Sequence, residues 1–214
     1  MKSYVITIWD NPHSMHYADR CIKSGATFDI EIHKFHAFTP KSNPSALAKG
    51  QNIDTSAFNE RYSRFENCLA AFLSHYTLWK TCIEIDEEVQ IFEHDAVITN
   101  DIPKHLDYNG CISLGAPSYG KFNTPTKIGV NSLVSKPYFP GAHAYRITPQ
   151  RAKTLCDRAK TEAAPTDLYL DIRRFDFLEE YYPWPVEARD NFTTIQNESG
   201  CLAKHQYGPG YQIL

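Results

Sequence analysis

The sequence predicts an α/β fold, a largely parallel central sheet flanked by helices, held within a single domain. Three observations predict it. Short β-branched or alternating runs recur along the chain, and segments of helical period separate them. The stretch from Arg64 to Ile85 places Phe65, Leu69, Phe72, Leu73, Tyr76, Trp79 and Ile83 at three- and four-residue spacing, the mark of a buried helix. Val89-Gln90-Ile91-Phe92 follows it directly as a short apolar run of the kind that forms an inner strand. Such alternation builds a mostly parallel sheet whose ligands sit at the carboxyl ends of its strands. A chain of 214 residues is long enough to bury a core without a disulfide or metal staple.

The elements can be justified in order. Tyr4 to Trp9 alternates and is β-branched, so it forms the first strand, which Asp10-Asn11-Pro12 ends. His13 to Ser24 forms a short helix that Gly25 stops. Phe28, Ile30 and Ile32 alternate with Asp29, Glu31 and His33, which predicts a half-buried strand. Thr39 to Thr55 is rich in Pro, Ser, Asn and Lys and is expected as a loop. After the long helix, Asp86-Glu87-Glu88 closes the turn, and the strand at Val89 runs into Glu93-His94-Asp95. Cys111 to Leu114 is another short strand, Gly115 to Gly141 a second long loop, and Ala142 to Ile147 a strand. Thr148-Pro149 starts a helix that runs to about Lys160, with Thr as N-cap and Pro at the first helical position. Thr166 to Tyr181 is expected as the last helix, and the tail from Tyr182 as irregular chain.

Composition excludes several classes. Hydrophobic residues make up 42% and aromatics 13%, too many for a disordered chain. No run approaches the roughly 18 apolar residues of a membrane span, and the start of the chain reads as a strand rather than a signal peptide. The six cysteines are scattered without a C-x-x-C pair, so reduced, buried thiols in a cytoplasmic protein are expected. A net charge of −3 argues against coating nucleic acid by charge alone. It hides a regional pattern: residues 1–107 carry −5, residues 108–156 carry +6 with no acidic side chain, and residues 157–214 carry −4. The positive stretch holds the second long loop and suits a diphosphate or a phosphate backbone; an ordinary solvated loop is the alternative. There is no dinucleotide fingerprint, no P-loop, no nucleophile elbow and no H-E-x-x-H. Ser74 and His75 are neighbours on a helix and point about 100° apart, so they make no Ser–His pair. His33 and His36 fall on opposite faces of a strand and are poor joint metal ligands.

The informative local feature is Phe92-Glu93-His94-Asp95-Ala96. In extended chain, residues i and i+2 point to one side, so Glu93 and Asp95 could share one divalent cation. Two carboxylates suit Mg²⁺ or Mn²⁺, which keep waters and substrate phosphates as further ligands. An acidic pair that caps an ordinary turn is the alternative.

Four segments together resemble one family. Arg64 to Trp79, RFENCLAAFLSHYTLW, resembles the "GEIGCALSHxxxW" helix of glycosyltransferase family 25, the lipopolysaccharide and collagen sugar transferases. Ile91 to Val97 resembles its "ILEDDV" segment, Gly141 to Pro149 its "GxxAYxIS" strand, and Pro165-Thr166-Asp167 its "PxD" element. Order and spacing agree from about residue 60 to 170. The sequence departs at three places: His94 stands where the acidic run has its middle residue, Arg64 where the helix motif has Gly, and the basic segment near the first strand is only partly present, as Arg20 and Lys23.

The resemblance implies a GT-A fold, a Rossmann-like sandwich over residues 1–214, with a nucleotide-sugar half (1–107) and an acceptor half (108–214). It implies transfer of a hexose from a UDP-sugar to a hydroxyl, with Mn²⁺ or Mg²⁺ and inversion at the anomeric carbon. A metal held by carboxylates would neutralise the leaving diphosphate, and inversion needs a base for the acceptor proton. Glu93 and Asp95 are then the metal and diphosphate residues, with His94 between them as a donor contact. Asp167 is the candidate base and Asp171 its rival; an acidic residue at a helix start is the alternative for the first. Ser74 and His75 would order the donor site, and Ile8, Trp9 and Asp10 would meet nucleobase and ribose. His143 is a candidate for the metal or the acceptor, and His205 for a third metal ligand as in some other GT-A enzymes.

Two acceptors fit such an enzyme. One is a glycan or lipooligosaccharide; the other is hydroxymethylated DNA, whose base would have to leave the stack. Tyr119, Phe122, Tyr138 and Phe139 in the second loop could stack on either, or pack in the core. A third reading is an inactive sugar-binding module. No integral membrane association is expected.

Overall fold

The computed structural model describes residues 1–58, 63–189, 191–196 and 212–214. In chain order the elements are β1 (Lys2–Thr7), α1 (Pro12–Ala26), β2 (His33–His36), α2 (Pro44–Gly50), α3 (Phe65–Ile85), β3 (Val89–Glu93), β4 (Ala96–Ile98), β5 (Cys111–Ser113), β6 (Gly129–Ser132) and β7 (Ala144–Ile147). They continue with α4 (Pro149–Glu162), α5 (Thr166–Tyr169), β8 (Leu178–Tyr182), β9 (Val186–Ala188), β10 (Phe192–Thr193) and β11 (Gln212–Ile213). Seven described strands form the central sheet in the order β2-β1-β3-β7-β5-β8-β6. Strands β2, β1, β3, β5 and β8 point one way, and β7 and β6 oppose them. The Rossmann-like α/β sandwich and its mostly parallel sheet are therefore as expected.

The period of the inner strands sorts side chains onto two faces. On one face Ile6, Val89, Ile91, Tyr145 and Ile147 pack with α3, α4 and Tyr169 of α5. On the other, Val5, Phe92 and Ala144 pack with Ala18 and Cys21 of α1. Helix α3 lies between the sheet and helices α2 and α4, so it is buried on most of its circumference. Its bounds agree with the sequence reading to one residue. Helix α1 starts one residue before the expected His13: Pro12 is its first residue, and Asn11, read as part of the strand's end, caps it by accepting from His13 N and Ser14 N. The cysteines at 21, 68, 82, 111 and 156 are buried and unpaired. No described helix is long and apolar enough to cross a membrane.

Five local expectations are corrected. Gly25 does not stop α1 but lies inside it, because a Cβ there would sit 2.6 Å from Ile32 Cδ1. The strand expected at Phe28–Ile32 begins at His33 instead, since Phe28 N and Ile30 N turn back to Gly25 O. The loop from Thr39 to Thr55 contains α2, whose N-cap Asn43 accepts from Ala46 N. The loop from Gly115 to Gly141 contributes the edge strand β6. The helix expected over Thr166–Tyr181 ends after one turn at Tyr169. Asp171 Oδ1 there accepts from Arg173 N, an Asx-type turn that competes with helix. Leu178 to Tyr182 then buries Leu178 and Glu180 in alternation and pairs with β5.

The positive stretch at 108–156 does not form one surface. Arg146 is buried and donates to Gln90 Oε1 from Nε and Nη2, and to the carbonyls of Pro103 and Lys104. Arg151 lies over the Phe177 ring, Lys153 pairs with Asp157, and Lys136 lies over Tyr119. Lys121 and Lys127 are exposed. Truncating Arg146 strands several buried acceptors at once. Arg146→Met is expected to lower the unfolding free energy by about 3 kcal/mol or more, read from the urea midpoint; a loss under about 0.5 kcal/mol would make the buried network energetically idle.

Candidate active site

The carboxyl ends of β1, β2 and β3 come together beside α3. A cleft open to solvent, about 560 Å³ of empty space, lies there. Ile6 and Ile8 form its strand side, and Ala70, Ala71, Ser74 and His75 of α3 its helix side. Glu93 and His94 stand at the end of β3, and Thr194 and Ile195 close it from the carboxyl-terminal side.

One chain of hydrogen bonds positions the polar wall. Trp79 Nε1 donates to the Tyr145 hydroxyl at 2.8 Å, and that hydroxyl is 2.9 Å from His75 Nδ1. His75 Nε2 is 3.1 Å from Glu93 Oε1. The roles follow from the ends: an indole N–H only donates and a carboxylate accepts, so Tyr145 O–H donates to Nδ1 and His75 donates from Nε2. Burial lowers the His75 pKa to about 3, so the ring is neutral in this role. Glu93 in turn is fixed through its backbone, donating from N to His143 O. Ser74 is also occupied: its hydroxyl donates to Ala70 O and accepts from Phe38 N at the end of β2. The helix motif thus places Ser74, His75 and Trp79 where each makes a specific bond.

The acidic segment differs in shape from an extended strand. Strand β3 ends at Glu93, and residues 94 and 95 form a turn before β4. Glu93 lines the cleft, and Asp95 is absent from its lining. Burial and then the Glu93 charge push the Asp95 carboxyl up to about 6, while His143 and Arg20 pull the other way. Asp95 Oδ1 is buried without a hydrogen-bond partner among the described residues. The Asp95 carbonyl accepts from Arg20 Nη2 at 3.2 Å and Arg189 N at 2.9 Å, which holds the turn against α1 and β9. His143 is 2% exposed. Neither of its ring nitrogens has a hydrogen-bond partner among the described residues, and the nearby Val186 carbonyl falls short of bonding geometry. Burial lowers its pKa. A Cβ on Gly115 would lie 2.4 Å from His143 Nε2, so glycine there makes room for the ring. No three His, Cys, Asp or Glu among the described residues gather as a metal cluster, so His143 does not join Glu93 and Asp95 in one.

The remaining candidates are dispersed. Trp9 is 56% exposed and stacks on His36 at 4.7 Å, and Asp10 pairs with Lys41; neither lines the cleft, although Ile8 does. His94 stacks on Phe192 at 5.3 Å with rings 3° apart. Asp167, at the start of α5, accepts from the Tyr119 hydroxyl at 2.5 Å and from Leu168 N at 2.9 Å. Burial raises its pKa, while its bonds from Tyr119 and Leu168 N pull the other way. Asp171 is 1% exposed and held by Arg173 through Nε and Nη2, which lowers its pKa. His205 lies outside the described residues. Sequence reasoning missed Tyr145 as a site residue and saw Arg20 only as part of a basic segment. Tyr145 was visible as the Tyr of the strand motif, but its bonds to Trp79 and His75 cross from β7 to α3.

An α/β sandwich with a cleft at the carboxyl ends of parallel strands is the arrangement of nucleotide-binding α/β proteins. Residues 1–128 match the model of glycosyltransferase family 25, described as LPS biosynthesis protein. More than half of the chain is covered, and the protein belongs to this family, so it is a glycosyltransferase. No curated protein matches the chain.

Two outcomes follow from this wiring. Tyr145→Phe leaves the Trp79 N–H and His75 Nδ1 unpaired, and is expected to cost about 1–3 kcal/mol in urea unfolding. An unchanged midpoint would mean that the hydroxyl bonds nothing. The Asp95 carboxyl is raised above its ordinary 3.8 to about 6. Its ionisation therefore opposes folding, and its contribution to stability is lost as pH rises through about 6. Metal-free Asp95→Asn should melt above the parent at pH 7.5, by roughly 2–4 °C for each kcal/mol relieved, and the gap should close near pH 4. A variant that melts below the parent at pH 7.5 contradicts this.

Proposed function

We propose that the protein moves a hexose from a UDP-sugar to a glycan or lipooligosaccharide hydroxyl, with inversion and with Mn²⁺ or Mg²⁺. The observation that carries the reading is the cleft at the ends of β1, β2 and β3, with the Glu93–Asp95 turn at its edge. Nucleobase and ribose lie along Ile8 and the small face of α3, and the diphosphate reaches the turn. Glu93 and Asp95 would hold the cation. The donor set fits one, because the two carboxylates repel each other and Asp95 Oδ1 is buried without a partner. With no three-residue cluster among the described residues, the other ligands come from diphosphate and water. When bound, the cation neutralises the departing nucleoside diphosphate.

The chain's own groups do the rest. His75 holds Glu93 by one oxygen. Asp167 takes the proton from the acceptor hydroxyl, whose oxygen bonds to the anomeric carbon as the bond to the diphosphate breaks. Burial favours this role, since it raises the Asp167 carboxyl towards the range of a general base. Asp171 is already neutralised by Arg173 and is poorly placed to compete. The dispersal of the positive stretch favours a glycan over DNA.

A thermal-shift panel of nucleotide sugars with and without Mn²⁺ tests the donor, because bound ligand raises stability by mass action. A UDP-sugar with Mn²⁺ should give the largest shift. Asp95→Ala should abolish metal-dependent transfer, and Asp167→Asn should lower kcat by about 10²-fold or more with donor affinity kept. Label from the UDP-hexose should enter bacterial oligosaccharide; label entering only hydroxymethylated DNA would replace the acceptor. Absence of any shift or turnover with every metal would leave an inactive sugar-binding module.

A further inference from the structure

His94 is the residue at which this sequence leaves its family's acidic run, and the donor chemistry gives it no part. Its structural surroundings do. The His94 ring stacks on Phe192, which is 2% exposed. Phe192 also meets Tyr17 of α1 edge-on at 5.3 Å and His13 at 5.7 Å. On one side of Phe192, the Tyr17 hydroxyl donates to Asn191 Oδ1. On the other, Asn67 Nδ2 of α3 donates to Thr194 O at 2.8 Å, and Arg64 N donates to Ile195 O at 2.7 Å. Residues 191–196 therefore run as a strap from α1 across the end of β3 to the start of α3. Thr194 and Ile195 in this strap form a wall of the cleft.

We propose that His94 is a positioning residue that clasps this strap through Phe192, so that Thr194 and Ile195 close the donor cleft. The clasp takes the place of the acidic side chain usual at this position. A flat ring suffices for the clasp, since a stacked aromatic pair favours the seated strap by roughly severalfold up to tenfold over burial alone. An aspartate would lose the stack and put a third carboxylate between Glu93 and Asp95. The assignment of the cleft to the donor rests on the proposed function; the seating of the strap does not.

The test uses the whole chain with three substitutions, His94→Phe, His94→Asp and Phe192→Leu. Amide hydrogen exchange over residues 192–196, without ligand, reads the strap directly. Calorimetric titration with UDP and MnCl₂ reads the cleft. His94→Phe should keep both exchange and UDP affinity within about twofold of the parent. His94→Asp should speed exchange and weaken UDP binding, each by roughly tenfold, and Phe192→Leu should do the same in smaller measure. The idea is overturned if exchange is the same in all variants. It is equally overturned if His94→Asp binds UDP with Mn²⁺ as well as the parent does while His94→Phe does not, because that pattern makes His94 a polar ligand. If no variant and no parent binds UDP, the donor reading fails, and the exchange measurement alone still decides the clasp.

Discussion

The hydrogen-bond chain from Trp79 through Tyr145 and His75 to Glu93 is the constraint around which the site is arranged. Each member is a polar group on the sheet face that packs against α3, where an unpaired donor costs roughly 1–3 kcal/mol. The chain closes only if three elements are in register. His75 and Trp79 are four apart, so one face of α3 carries both. Tyr145 stands opposite Ile91 in the β3–β7 ladder, on the face that α3 covers. Glu93 is two residues beyond Ile91 and so shares that face. A slip of one residue in either strand would send Tyr145 or Glu93 to the other side and leave the imidazole without a partner. The same bonds fix the His75 tautomer, which leaves Nε2 as a donor aimed at a carboxylate.

The chain's end decides the electrostatics of the cleft. His75 is neutral, so it directs Glu93 without cancelling its charge. Arg20, whose charge acts on Asp95, gives its Nη2 to the carbonyls of Asp95 and Arg189 and so shapes the turn through the backbone. Negative charge therefore gathers at residues 93–95. The cationic side chains of the 108–156 stretch are spread through a buried network, a stacked ring and a helix surface. A site with this balance suits a cation together with an anionic ligand better than a bare polyanion.

How far the sequence revealed this depended on the range of each interaction. Helix α3 and β3 were legible because period and apolar runs are local signals. The segment after Tyr169 was not. Its aromatic and acidic residues satisfy a helical spacing, and only the Asp171 turn and the pairing with β5 decide for a strand. The Glu93–Asp95 pair was legible as chemistry but not as geometry. The shared side was read for extended chain, whereas residues 94 and 95 form a turn that α1 and the residue after β9 hold. Tyr145 could be seen as a motif residue, whereas its role needed the register of β7 against β3.

The two irregular parts of the chain meet the site in the same manner, by an aromatic group set against a key residue. The loop after β5 brings the Tyr119 hydroxyl to Asp167, and Lys136 lies over the Tyr119 ring at 4.7 Å. The strap at 191–196 brings Phe192 to His94. Both contacts join segments distant in sequence, and neither is part of the sheet. The relay from α3 thus holds Glu93 from within the sheet, while the strap and the loop after β5 are held by side-chain and backbone contacts outside the central sheet. Such contacts open at far lower free energy than the sheet does. A glycosyltransferase must take in its donor, exclude water and then release its products. A hydrogen-bonded floor with walls held outside the sheet is an arrangement compatible with that cycle, because the walls can move without breaking the bonds from α3 to Glu93.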